Sequence, residues 1–88
     1  MVHPKLKDFI NHTLIPGFYL DVRGNYCIVI NKYLISVFVN SCDEELDVTI
    51  DRITKEGFFD DNIEWETPAD YKDVVETIQR FVKYAIEH

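Results

Sequence analysis

Hydrophobic positions recur at helical spacing at both ends of this chain and at alternate positions between them. Pro4 suits a first helical turn, and Leu6, Phe9 and Ile10 follow at helical spacing, which predicts an amphipathic helix over residues 4–13 ended by the Pro16-Gly17 break. From Phe18 the period is two. Phe18, Leu20 and Val22 alternate with Tyr19, Asp21 and Arg23, and Gly24-Asn25 tolerates the positive φ of a turn. A three-residue loop at 23–25 places Val22 opposite Tyr26 and keeps the apolar faces together. Next come two apolar runs, 26–30 and 33–39, and a two-residue loop at Asn31-Lys32 pairs Ile30 with Tyr33 and Ile28 with Ile35. Leu46, Val48 and Ile50 alternate with Asp47, Thr49 and Asp51, the pattern of a fourth strand with one wet face. Ile63 and Trp65 lie between Asn62, Glu64 and Glu66, predicting a short edge strand with both apolar residues inward and its charges guarding the edge. Thr67-Pro68-Ala69-Asp70 reads as N-cap, first-turn proline and acidic third helical position. Tyr71, Val74, Val75, Ile78, Phe81, Val82 and Ala85 then form one stripe of a final helix.

The order is therefore α-β-β-β-β-(β)-α. This predicts one α+β domain over residues 1–88: a four- to five-stranded antiparallel meander with the N- and C-terminal helices packed on one face. The inner face is expected to hold Phe18, Leu20, Val22, Tyr26, Ile28, Ile30, Tyr33, Ile35, Val37, Val48 and Ile50. The opposite face has an apolar centre of Cys27, Val29, Leu34 and Phe38 beside Asp47, Thr49 and Asp51. Such a patch suits a dimer seam or an anchor for a partner. The alternative is that residues 53–62, with Phe58 and Phe59, fold over it.

Charge changes this picture. Thirteen of the sixteen Asp and Glu residues fall within 43–76, where only Arg52, Lys55 and Lys72 oppose them, while the flanking segments are slightly basic and the chain totals −7. Gathering like charge on a small body lowers stability, so the segregation points to a basic partner. It disfavours direct binding to nucleic acid or to an anionic membrane. At 88 residues and 47% hydrophobic, the chain supports one core and has little room for an internal catalytic cleft. No apolar run is long enough to span a membrane, and the basic N-terminal residues precede no signal-peptide core. With only two cysteines, a reducing cytoplasm is expected, that of the host if the protein is viral.

Candidate chemistries fail on spacing. Asp60-x-Asn62-x-Glu64 begins like an EF-hand loop, but Trp65 occupies the place of its glycine and Tyr71 that of its last glutamate. His3, His12 and His88 have no paired ligand spacing, and no Cys-x-x-Cys occurs. Cys27 falls mid-strand as a small apolar residue, and the acids beside Cys42 oppose a reactive thiolate. The three glycines form no phosphate loop. The expectation is a non-enzymatic protein with no catalytic residues, metal site or cofactor.

What remains is Asp43, Glu44, Glu45, Asp47, Asp51, Asp60, Asp61, Glu64 and Glu66, carboxylates whose alternation along strands imitates a row of phosphates. In size, acidity and lack of motifs, with a composition rich in Asn, Ile, Phe, Tyr and Asp, the chain resembles the small DNA-mimic inhibitors that phages direct against restriction, CRISPR or nucleoid proteins. The resemblance rests on profile and transfers no family residue. It implies an acidic inhibitor that blocks a basic nucleic-acid-binding site on a partner protein. Two alternatives share the profile: a homodimeric structural or assembly module, and a bacterial immunity protein that neutralises a basic nuclease toxin.

Overall fold

The computed structural model describes residues 2–54 and 61–88. Its elements are α1 (Pro4–His12), β1 (Tyr19–Leu20), β2 (Tyr26–Ile30), β3 (Tyr33–Val39), β4 (Leu46–Arg52), β5 (Asp61–Glu66) and α2 (Tyr71–Glu87). The strands form one antiparallel sheet in the order β1-β2-β3-β4-β5. This is the expected α+β meander with five strands. Leu6 and Phe9 of α1 and Val74, Ile78, Phe81 and Ala85 of α2 join Tyr26, Tyr33, Ile35, Val37, Leu46, Val48 and Ile50 in one buried cluster, so both helices cover the same face. Among the described residues, no helix is long and apolar enough to cross a membrane.

The β2–β3 hairpin has the expected register, with Ile30 opposite Tyr33 and Ile28 opposite Ile35. Asn31 takes a positive φ of 54° at its turn, and its side chain donates to the Ala85 carbonyl at 2.9 Å, tying the turn to the end of α2. The first hairpin differs. Leu20, not Val22, pairs with Tyr26, and Val22 is fully exposed. The cause is Asp21, whose carboxylate accepts the amides of Arg23 (2.9 Å) and Asn25 (3.0 Å) and winds 21–25 into a closed loop. The slip is by two residues, so Leu20 stays on the helix side with Tyr26, but neither Leu20 nor Val22 enters the core.

α1 starts at Pro4 as expected, but its end, the start of α2 and the edge strand depart from expectation. α1 ends at Thr13, whose amide caps the Phe9 carbonyl, well before Pro16. α2 is capped by Asp70, which accepts the Asp73 amide at 2.9 Å, so Thr67 and Pro68 lie outside the helix. In β5 the two faces are reversed. A bulge at Ile50/Asp51 leaves Ile63 unpaired and sets Glu64 opposite Ile50 and Glu66 opposite Val48, on the side of the helices. Trp65 pairs with Thr49 and turns to the other face. There its ring meets Phe38 edge-on at 5.5 Å, and its indole N–H donates to Asp47 at 2.8 Å.

Candidate acidic interaction surface

The carboxylates expected to form one array are divided among four settings. Asp43, Glu44 and Glu45 lie exposed in the β3–β4 turn, where Glu44 takes a positive φ and Asn40 bonds the amides of Cys42 and Glu44. Asp43 spends one oxygen on the Glu45 amide (3.0 Å). Glu45 pairs with Lys5 at 2.9 Å, and Glu44 lies 3.5 Å from His3, so this turn faces the start of α1. The tripeptide is thus partly matched within the molecule.

Asp47 is not available to a partner. It is 1% exposed, and its Oδ2 accepts both Asn40 (2.9 Å) and Trp65 (2.8 Å). Its Oδ1 is buried and has no hydrogen-bond partner among the described residues. The wet strand face expected at Asp47 and Thr49 is therefore a correction: Thr49 is buried as well. Alternation places both opposite the helices, where Trp65, itself 54% exposed, donates its indole N–H to Asp47 and satisfies one oxygen of that buried acid. Asp51 is half-buried and accepts the Asn62 amide group at 2.8 Å. Asp61 is held by Arg52. Asp60, like Phe58 and Phe59, lies outside the described residues.

Glu64 and Glu66 behave differently. Standing on one side of β5, they face α2, where Arg80 meets Glu64 at 2.9 Å and Glu66 at 4.0 Å. Asp73 and Glu76 line a shallow hollow of about 390 Å³ with Glu66, Thr67, Pro68 and Arg80. Glu64 and Glu66 thus share one guanidinium, and Asp73 and Glu76 lie along the hollow that Glu66 and Arg80 line. The Glu66 carboxyl is pushed above its ordinary pKa, first by a hydrogen bond with Glu64, then by desolvation and by the charge of Glu64, against the opposing effect of Arg80. The like charges are not fully compensated. Residues 73, 76 and 80 recur at three- and four-residue spacing, so the helical part of this shoulder was readable as one face. That it would meet β5 was not, because the bulge decides which face of β5 carries the glutamates.

The expected anchor face is not an open seam. Cys27 and Leu34 are buried, Phe38 is half-buried against Trp65, and only Val29 stands exposed at 45%. Cys27 has its thiol pKa raised, first by burial and then by the Asp21 charge, with Tyr19 opposing, which suits an inert thiol. Beside it a hollow of about 350 Å³ is bounded by Ser36, Phe38, Thr49, Asp51, Asn62 and Trp65. It joins hydroxyl, amide and carboxylate groups, with no histidine among these residues. Among the described residues, no group of three or more His, Cys, Asp or Glu side chains is arranged to hold a metal ion.

No protein-family model matches this chain, and no curated protein or solved structure matches it.

Proposed function

We propose that this protein is a non-enzymatic interaction protein whose acidic surface occupies a basic nucleic-acid-binding site on a partner protein, in the manner of a phage anti-defence inhibitor. The observation that carries this reading is the β5–α2 shoulder, where Glu64 and Glu66 share Arg80 and Asp73 and Glu76 line the adjoining hollow. Folding accounts for Asp47, buried under Trp65, and for Asp70, the helix cap. It accounts for Asp73 too, an acid in the first turn of α2, but not for Glu64 and Glu66 sharing one cation with Glu76 in the adjoining hollow, Glu66 having its proton affinity raised. A basic groove supplies the missing positive charge, and release of its bound counter-ions adds to the attraction. Glu44, Glu45 and Asp61, each paired at the surface, extend the negative field and are open to exchange partners, because exposed ion pairs are worth about 1 kcal/mol or less. Encounter is fast at low salt and falls off as the Debye length shrinks below about 8 Å. The unpaired state of Cys27 and Cys42 suits a cytoplasmic setting, the host cytoplasm for a viral protein. A basic nuclease toxin is one partner of this class, as in an immunity protein.

The test is capture of lysate proteins on the immobilised chain, with two controls. Captured proteins are expected to bind nucleic acid, to be displaced by added duplex DNA or RNA, and to be lost between about 50 and 500 mM salt. The variant E64Q/E66Q/D73N/E76Q is expected to capture none of them while melting normally. Partners that resist both nucleic acid and salt, or that bind the neutralised variant equally well, would remove this reading.

A further inference from the structure

The flank of α2 away from the acidic shoulder borders an open sheet edge. β1 pairs only with Tyr26 and Cys27, so among the described residues no strand lies on the outer side of Ile28, Val29 and Ile30, opposite β3. In an antiparallel ladder the amide and carbonyl of successive residues point alternately to the two sides. The Asn25 carbonyl points toward β1, accepting the Asp21 amide at 2.9 Å, and steps of two from it bring Val29 to the same outer side, beyond the end of β1. β5 carries acids along its edge, whereas this stretch holds only Ile, Val and Ile and has no charge to discourage pairing. Beside it, on the helix side, runs an apolar groove of about 450 Å³ between Ile15 and Phe18 on one wall and Val82 and Ile86 on the other, with Ile28 and Ile30 as its floor. Its rim leaves Ile86 64% exposed.

The charges of this flank select its occupant. Molecules of net charge −7 repel through their acidic shoulders and can meet only where charge is balanced. Among the described residues, the charged side chains lining the groove are Lys83 and Glu87, one of each sign and one helical turn apart on α2. A two-fold axis that runs two such helices antiparallel brings Lys83 of each to Glu87 of the other, and one apolar surface then serves as both knob and groove.

We propose that the protein is a homodimer joined through this flank. Ile86 of each copy enters the groove of the other, the open β2 edges come side by side, and Lys83 and Glu87 pair across the axis. The two acidic shoulders then lie at the outer ends of the dimer. This dimer is independent of what the shoulders bind, and it uses a different surface from the Cys27/Leu34 face.

Sedimentation equilibrium of the full chain over a concentration series tests it, with thermal unfolding as a check that each variant is folded. The wild-type chain is expected at twice its 10.4 kDa mass. Ile86→Asp, at an exposed position, is expected to weaken self-association about a hundredfold, since two isoleucines leave the interface at once. K83E and E87K are each expected to weaken it about tenfold, and the double variant K83E/E87K to return within about threefold of wild type. That rescue separates pairing between copies from a merely structural role of either residue. A wild-type monomer throughout, an I86D dimer of undiminished strength, no rescue by the double variant, or a dimer lost in Val29→Asp but not in I86D would each overturn the proposal.

Discussion

Along one side of α2 the sheet ends in Glu64 and Glu66, paired with Arg80, with Asp73 and Glu76 of the helix along the adjoining hollow. Along the other it ends in Ile28 and Ile30 beneath Val82 and Ile86, with one lysine and one glutamate at the rim. Both edges meet the same helix, and both need some means of limiting unwanted strand pairing. β5 has it in charge. β2 is protected over its first residues only, by the short β1 and its closed Asp21 loop. An edge guarded by charge is open to a basic surface, while an edge guarded by a short strand leaves its unguarded remainder open to an apolar one.

The largest test of this contrast is whether the acidic edge can be detached. Asp47 holds β5 in place by accepting the Trp65 indole while binding Asn40. Asp47→Ala removes the acceptor of two part-buried donors and is expected to cost about 2 kcal/mol by urea unfolding, with β5 amides losing hydrogen-exchange protection before those of β2. Equal loss of protection at both edges would show that Trp65 does not anchor β5 separately.

A comparable effect is expected at the opposite edge. Burial alone would raise the pKa of Asp21, but the Asn25 amide and the side chain and amide of Arg23 outweigh it and leave it below the ordinary value. Its stabilising contribution is therefore complete above the ordinary carboxylate range and is lost as pH falls through the depressed folded value. Asp21→Ala is expected to cost about 2 kcal/mol at neutral pH and much less in acid. It should also speed labelling of Cys27, which β1 and its loop adjoin, while leaving Cys42, already exposed, unchanged.

Glu66 is expected to act with the opposite sign. Its folded pKa is raised, so stability present below its ordinary value of 4.5 is lost as pH rises through the raised value. Arg80→Gln removes the opposing charge and should raise the Glu66 pKa further in a carboxyl NMR titration, leaving that of Asp21 unmoved. The cost in stability should stay below about 1 kcal/mol, because the pair is solvent-exposed. An unmoved Glu66 would mean that the shoulder is not electrostatically coupled to Arg80.

Much of the fold was legible because it follows from local periods. Alternation in 26–39 specified the central hairpin down to its register, since a slip of one residue would have turned Ile28 and Ile35 away from the core. The helical stripe from Val74 to Ala85 was equally plain, with Thr77 added to its buried side. Errors fell where side chains compete with the backbone. Asp21 closed a loop that alternation read as strand, and Asp70 displaced Thr67 as the cap of α2. Both residues accept amides two to four positions ahead, a local option that hydrophobic period does not register.

By itself, the sequence determined the class of the fold, the order of its elements, the central register and the excess of negative charge, because each depends on which residues are apolar, polar or charged at neighbouring positions. Only the tertiary structure decided how that charge is spent. The bulge in β5 sent Glu64 and Glu66 to the helices and Trp65 to Asp47, burying one acid and gathering others around Arg80. Such outcomes depend on contacts between residues many positions apart, where one extra residue in a strand exchanges its two faces.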